Sequence, residues 1–264
     1  MKKHKTQQKR SGWATHPVVS QSSWLKARKK LLDAEKALTR QIDSVRALRQ
    51  QLPWVKVVKP YVFTGPEGAV SLSDLFRGRS QLIVQHFMFA PGWEEGCEGC
   101  SFLADHVDGA RLHFEHHDVA FVAVSRAPLA EFAPFKQRMR WMFPWVSSHG
   151  SSFNYDFGVS FTPEQVAMKR VDYNYGTSPY AMEELHGTSV FAKRRGNVFH
   201  TYSTYARGAD MLMGAHHYLD LTPRGRNDQG RQANWLKLHD RYENDQGGAT
   251  RVQKEKGKRK KSAN

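Results

Sequence analysis

Gln81-Leu-Ile-Val-Gln-His-Phe-Met-Phe-Ala-Pro-Gly-Trp-Glu-Glu-Gly-Cys97-Glu-Gly-Cys100 holds an apolar run, a Pro-Gly turn and the only two cysteines of the 264-residue chain. The run from Leu82 to Ala90 predicts a buried strand, and Pro91-Gly92 ends it. A helical pattern is predicted over Ser101 to His117. The Cys-x-x-Cys pair therefore sits where a strand hands over to a helix. That spacing leaves two chemistries open, a dithiol redox centre or half of a metal site. The flanks favour the first, because backbone N–H groups and the positive end of a helix dipole stabilise a thiolate.

Working outward, strands are expected at Trp54–Val58 and Tyr61–Phe63, with a hairpin turn over Thr64-Gly-Pro-Glu-Gly68. A second buried strand is expected at Asp118–Ser125, a helix at Leu129–Trp141 and a short third strand at Phe143–Ser147. Strand, helix, strand, helix, strand is the pattern of parallel crossover units. Residues 148–185 are aromatic and turn-rich, and read as an insertion. Thr188–Ala192 and Asn197–Ser203 then predict an antiparallel hairpin, followed by short helices at Gly208–Leu219 and Trp235–Tyr242. The fold class is α/β: a central mixed sheet flanked by helices, with a long N-terminal helix.

That helix is expected from Ser23 to about Gln51, capped by Ser22 or Ser23 and stopped at Pro53. Leu31, Leu38, Val45 and Leu52 recur every seven residues, and Ala34, Ile42 and Leu48 fill the same face. Two readings stand: a coiled-coil arm that joins two copies, or a helix laid on its own domain. The expected organisation is a basic tail at 1–22, a helical arm at 23–52, a domain at 53–243 and a second basic tail at 244–264.

The net charge of +15 invites a nucleic-acid reading. Its location argues otherwise: counted along the sequence, residues 1–50 carry +10, residues 246–264 carry +6, and the middle carries −1. The basic ends are expected to add weak, salt-sensitive polyanion binding at most. Blocks of like charge are commonly solubilising flexible ends. No apolar run approaches the ~18 residues of a membrane span, and the basic N-terminus lacks the apolar stretch of a secretory signal. Two cysteines in a chain of this length make no secreted disulfide framework. A cytoplasmic location is expected.

The layout resembles the thioredoxin superfamily, and Tyr61–Leu75 is similar to the lead-in of its peroxiredoxin-like branch. More closely, the chain resembles a bacterial family of thioredoxin-like proteins catalogued as a domain of unknown function. The residues that carry this are His86–Cys97, Gly99–His106, Val122–Ala130, Phe143–Ser148, Phe153–Gly158, Val198–Gly208 and Tyr218–Gly225. The resemblance covers roughly residues 15–245. It implies a thioredoxin-like fold, with two departures from the wider superfamily. A peroxiredoxin has Thr or Ser three residues before its reactive Cys, and here Glu94 stands there. Thioredoxins place a cis-proline just before the first strand of the terminal hairpin, and here Gly187-Thr188-Ser189 stands there.

The expected activity is thiol–disulfide oxidoreduction, with Cys97 as nucleophile and Cys100 as resolving thiol. Trp93 is expected as an aromatic lid or a core anchor. Glu94, Glu95 and Glu98 would raise the Cys97 pKa if ionised nearby, and Glu94 or Glu95 is a candidate proton acceptor for Cys100. Arg207 is a candidate to offset these glutamates or bind an anionic substrate, or a plain surface ion pair. The alternatives are a non-enzymatic interaction protein with polyanion-binding ends, and a Cys/His metal protein. For metal, Cys97 and Cys100 supply two of four ligands. His86, His106 and His200 are the remaining candidates, with no second Cys-x-x-Cys beside them. No cofactor is expected; the substrate and the reductant are unknown thiols or disulfides.

Overall fold

In the computed structural model the sequence Gln81–His86 is the strand β4, and after the exposed Gln81 both of its faces are covered. Leu82 and Val84 face one core; Ile83 packs against the other. Successive side chains on a strand point to opposite faces. A strand that is apolar on both sides therefore needs a covering layer on each side. The structure describes residues 16–178, 182–226 and 235–242. The basic ends expected at 1–22 and 244–264 lie outside these residues except for 16–22.

The chain divides into two units. In the larger, β1 (Val55–Lys56), the hairpin β2 (Val62–Gly65) and β3 (Gly68–Ser71), and β4 lead to the helices α2 (Glu98–Ala104) and α3 (Val107–His116). Then follow β5 (Val119–Ser125), α4 (Leu129–Arg138), β6 (Trp145–Ser147), α5 (Phe153–Asp156), α6 (Pro163–Ala167) and a separate two-stranded sheet of β7 (Val171–Tyr173) and β8 (Gly176–Ser178). The hairpin β9 (Gly187–Arg194) and β10 (Asn197–Tyr205) closes the main sheet, whose order is β1-β10-β9-β4-β5-β6-β2-β3. β4 runs parallel to β5 with Gln81 opposite Val119, and antiparallel to β9 with His86 opposite Gly187. β5 runs parallel to β6. This is the thioredoxin-like arrangement: a parallel strand–helix–strand–helix–strand set whose first strand also pairs with a terminal antiparallel hairpin.

One core lies under α2, α3 and α4 and is aromatic: Phe87, Phe89, Phe132, Phe135, Trp141, Phe143 and Trp145 pack together. Trp145 stacks on Phe132 at a centroid distance of 4.7 Å and meets Phe87 at 4.4 Å. Each such fully buried ring contributes about 2–3 kcal/mol relative to exposure. The opposite core gathers Phe63, Phe76, Leu82, Val84, Val122, Phe153 and Phe191.

Several boundaries differ from the sequence expectations. The helix expected over Ser101–His117 starts earlier and is two helices. The break falls at Asp105-His106, where Asp105 Oδ1 accepts from Trp141 Nε1 (2.7 Å) and His239 Nδ1 lies at 2.7 Å. α4 stops at Arg138, and Trp141 turns into the core instead of extending the helix. β6 begins after Pro144, which has no N–H to give a ladder. Within the aromatic insertion Val159, Phe161, Val171, Tyr173 and Leu185 form a small core with Tyr205 of β10.

The smaller unit holds α1 (Gln21–Gln50) and α7 (Gly214–Asp220). α1 is capped by Ser20, not by Ser22 or Ser23: the Ser20 Oγ accepts from the Ser23 N–H at 3.3 Å. None of its residues is buried. Among the described residues no helix is long and apolar enough to cross a membrane.

Candidate active site at the Cys97–Cys100 pair

Beyond His86 the chain leaves the sheet, turns at Pro91-Gly92 and comes back. Gly92 has φ 81°, a left-handed conformation that glycine adopts without strain, and its N–H donates to Glu131 Oε2 at 2.7 Å. The return is held by the Cys97 N–H, which donates to the Met88 carbonyl at 3.3 Å. The residue before the pair must be small. A Cβ on Gly96 would stand 2.5 Å from Phe87 Cε1 and 2.9 Å from Phe135 Cε1.

Cys97 is the N-cap of α2 and Cys100 lies in its first turn. Both are free thiols; Cys97 is half-buried and Cys100 is buried. The Met88 N–H donates to Cys100 Sγ at 3.5 Å, and Gln85 Nε2 donates to the Cys100 carbonyl at 3.0 Å. The strand end thus grips the helix start through both residues that flank His86–Phe87.

The two sulfurs differ in acidity. The Cys97 thiol is lowered to about 7, chiefly by the Cys100 thiol, then by the Cys100 and Gly99 amides, against burial and the charge of Glu98. Cys100 is pushed well above its ordinary value, first by burial, then by its bond to Cys97 and the Cys97 charge, with Glu184 adding to the effect. A thiol near 7 is about half thiolate at neutral pH.

The other expected site residues take varied places. Trp93 packs against the aromatic core and its Nε1 donates to Glu183 Oε1 at 3.2 Å. Glu94 is exposed. Glu95 is bound by Arg138 and Arg241, and the Arg138 bond above all holds its carboxyl below the usual range. It is committed to those cations, so the expectation of Glu95 as acceptor for the Cys100 proton does not fit its placement. Thr188 is buried on β9, opposite Gln85 in register, and its Oγ1 has no hydrogen-bond partner. Arg207 is exposed and pairs with Asp210 at 3.2 Å. It offsets none of the three glutamates; Arg138 and Arg241 neutralise Glu95 instead.

Two residues absent from the sequence reading matter here. Arg126, at the end of β5, bridges Glu183 and Glu184. Glu184 is buried, bonded also by Ser160 Oγ at 2.8 Å, and burial raises its pKa despite the guanidinium. The signal for Arg126 is in the sequence: a charge placed directly after a buried parallel strand, at its C-terminal end. Nothing local marks Glu184 as its partner.

Among the described residues no group of three His, Cys, Asp or Glu side chains is placed to hold a metal ion. His86 bonds Ser189 Oγ at 2.8 Å, His106 the Phe102 carbonyl at 2.7 Å, and His200 Ser203 Oγ at 2.7 Å.

Residues 13–242 match the model of a bacterial protein family of unknown function, DUF899. The chain belongs to that family. This DUF899 chain is also similar to peroxidoxin BcpB of Mycobacterium tuberculosis, at 16% identity and TM-score 0.43, over 62% of this chain and 96% of that one. It is similar to the bacterioferritin comigratory protein of Xanthomonas campestris at 13% identity and TM-score 0.39, over 61% and 95%. A putative thiol:disulfide interchange protein DsbE of Chlorobium tepidum is similar at 14% and 0.38, over 61% and 94%. Comparison with curated proteins finds no match.

Proposed function

We propose that this DUF899 chain is a thiol–disulfide oxidoreductase working through Cys97 and Cys100. The observation that carries the reading is the asymmetry of the pair: an acidic, only partly buried sulfur at a helix start beside a fully buried one of high pKa. In the first step the Cys97 thiolate attacks a substrate disulfide. The substrate S–S bond breaks, a Cys97 mixed disulfide forms, and the departing thiolate takes a proton from water. Cys100 then attacks the Cys97 sulfur and its proton passes to the second departing thiolate. The substrate gains two electrons and two protons, and the protein holds a Cys97–Cys100 disulfide. An external dithiol reverses the sequence.

The buried Cys100 is protected from substrate and reacts only within the mixed disulfide. Its high pKa keeps it protonated until then, so it stabilises the Cys97 thiolate by donating to it. The test is insulin reduction with dithiothreitol, read as turbidity. Wild type should accelerate it and Cys97→Ser should not. Equal rates for the two proteins, at or near the rate without protein, would remove the assignment.

A further inference from the structure

Along α1 exposed apolar residues recur at heptad spacing. Trp24, Leu31, Leu38 and Val45 recur every seven residues and are 50%, 55%, 61% and 40% exposed. Calling these the a positions of a heptad puts Ala27, Ala34, Gln41 and Leu48 at d. A repeat of 3.5 residues kept over four heptads winds a straight helix into a left-handed supercoil when a second helix covers the seam.

The charges beside the seam select the occupant. In a parallel, in-register pair each g residue faces the e residue five positions on in the other copy. Those pairs are Ser23 with Arg28, Lys30 with Glu35, Ala37 with Ile42, and Ser44 with Arg49. One pair is attractive and occurs twice by symmetry, one is apolar, and none sets like charges together. Glu35 already receives Arg28 of its own helix at 2.8 Å, so it would sit between two cations. An antiparallel pair with full overlap sets e against e, and there Arg28 opposes Arg49 twice. The last heptad, with Val45 at a and Leu48 at d, is the combination that favours two parallel strands.

We propose that Gln21–Gln50 is a dimerisation helix, in which two copies of this chain wind in parallel and in register through Trp24, Leu31, Leu38, Val45 and Leu48. The inference is independent of the redox reading.

The experiment is the mass of the full-length protein in solution, by light scattering or sedimentation over a concentration series. Twice the chain mass is expected. Leu31→Glu/Leu38→Glu should halve it, with the rate of iodoacetamide reaction at Cys97 unchanged as a check that the thioredoxin-like unit is intact. A monomeric wild type, or a dimer that survives the double substitution, overturns the proposal. Orientation is read by oxidative cross-linking in a Cys97→Ser/Cys100→Ser background. Leu31→Cys alone should cross-link in the parallel pair. Cross-linking only on mixing Leu31→Cys with Gln41→Cys means an antiparallel pair and overturns it.

Discussion

Gly96 lies against the ring of Phe87 so closely that a Cβ there would come within 2.5 Å of Phe87 Cε1. The ring is part of the aromatic core and is itself locked between Trp141 and Trp145. The contact therefore sets how far Cys97 stands from the end of β4.

Gly96→Ala should push the Cys97 loop outward, because neither Phe87 nor Phe135 has room to retreat. Overpacking of this kind costs about 1–3 kcal/mol. The Met88–Cys97 hydrogen bond should lengthen and the reactivity of Cys97 should fall. Urea unfolding and the rate of iodoacetamide reaction measure the two effects. A variant with wild-type stability and wild-type thiol reactivity would contradict the close contact.

The acidity of Cys97 depends first on Cys100. In Cys100→Ala the largest stabilising contribution is gone, so the Cys97 pKa should rise from about 7. In Glu98→Gln the opposing negative charge is gone, so it should fall. The alkylation rate followed from pH 5 to 10 gives both midpoints. The thiolate fraction grows as pH rises through the midpoint, so at pH 7 Cys100→Ala should react more slowly than wild type and Glu98→Gln faster.

Arg126 keeps the buried Glu184 partly compensated. Removing one partner of such a pair leaves an uncompensated buried charge, a loss on the order of 3 kcal/mol. Arg126→Gln should push the Glu184 carboxyl, already raised, further up. A carboxyl whose folded pKa lies above its unfolded value contributes stability at low pH and loses it as pH rises through the folded pKa. The variant should therefore lose more stability at pH 8 than at pH 5, which chemical denaturation at the two pH values will show.

His86 is wholly enclosed and belongs to a hydrogen-bonded chain through Ser189 and Ser203 to His200. Its Nδ1 has no hydrogen-bond partner. Burial, with a smaller repulsion from His200, lowers its pKa to about 3. A depressed folded pKa gives stability that is present above the unfolded pKa of 6.5 and lost as pH falls toward 3. The full loss is on the order of 5 kcal/mol. His86→Gln should lose stability at pH 7 yet show a shallower fall between pH 6.5 and 4, measured as thermal midpoints across that range.

Much of the scaffold was legible in the residues because its signals are local. Leu82-Ile-Val and Ala120-Phe-Val-Ala-Val are buried on both faces, and unbroken apolar runs of that length say so. Cys97 at a helix start follows from the turn before it and the pattern after it. The boundaries that moved, at Asp105-His106 and at Trp141, moved because side chains remote in sequence took them over. Trp141 and His239 bond Asp105, and the aromatic core draws Trp141 in.

The sequence by itself determined the strand and helix alternation, the place of the dithiol at the junction of β4 and α2, and the heptad of α1. These follow from periodicity, turn chemistry and spacing, which act over a few neighbouring residues. Only the tertiary structure decided which charges the thiols feel. Glu95, two residues from Cys97, is neutralised by Arg138 and Arg241, 43 and 146 positions away. Glu184, far along the chain, lies buried on Arg126 and adds its charge at Cys100. Ion pairs of this kind form where packed elements bring side chains together, and no local pattern of residues encodes that encounter.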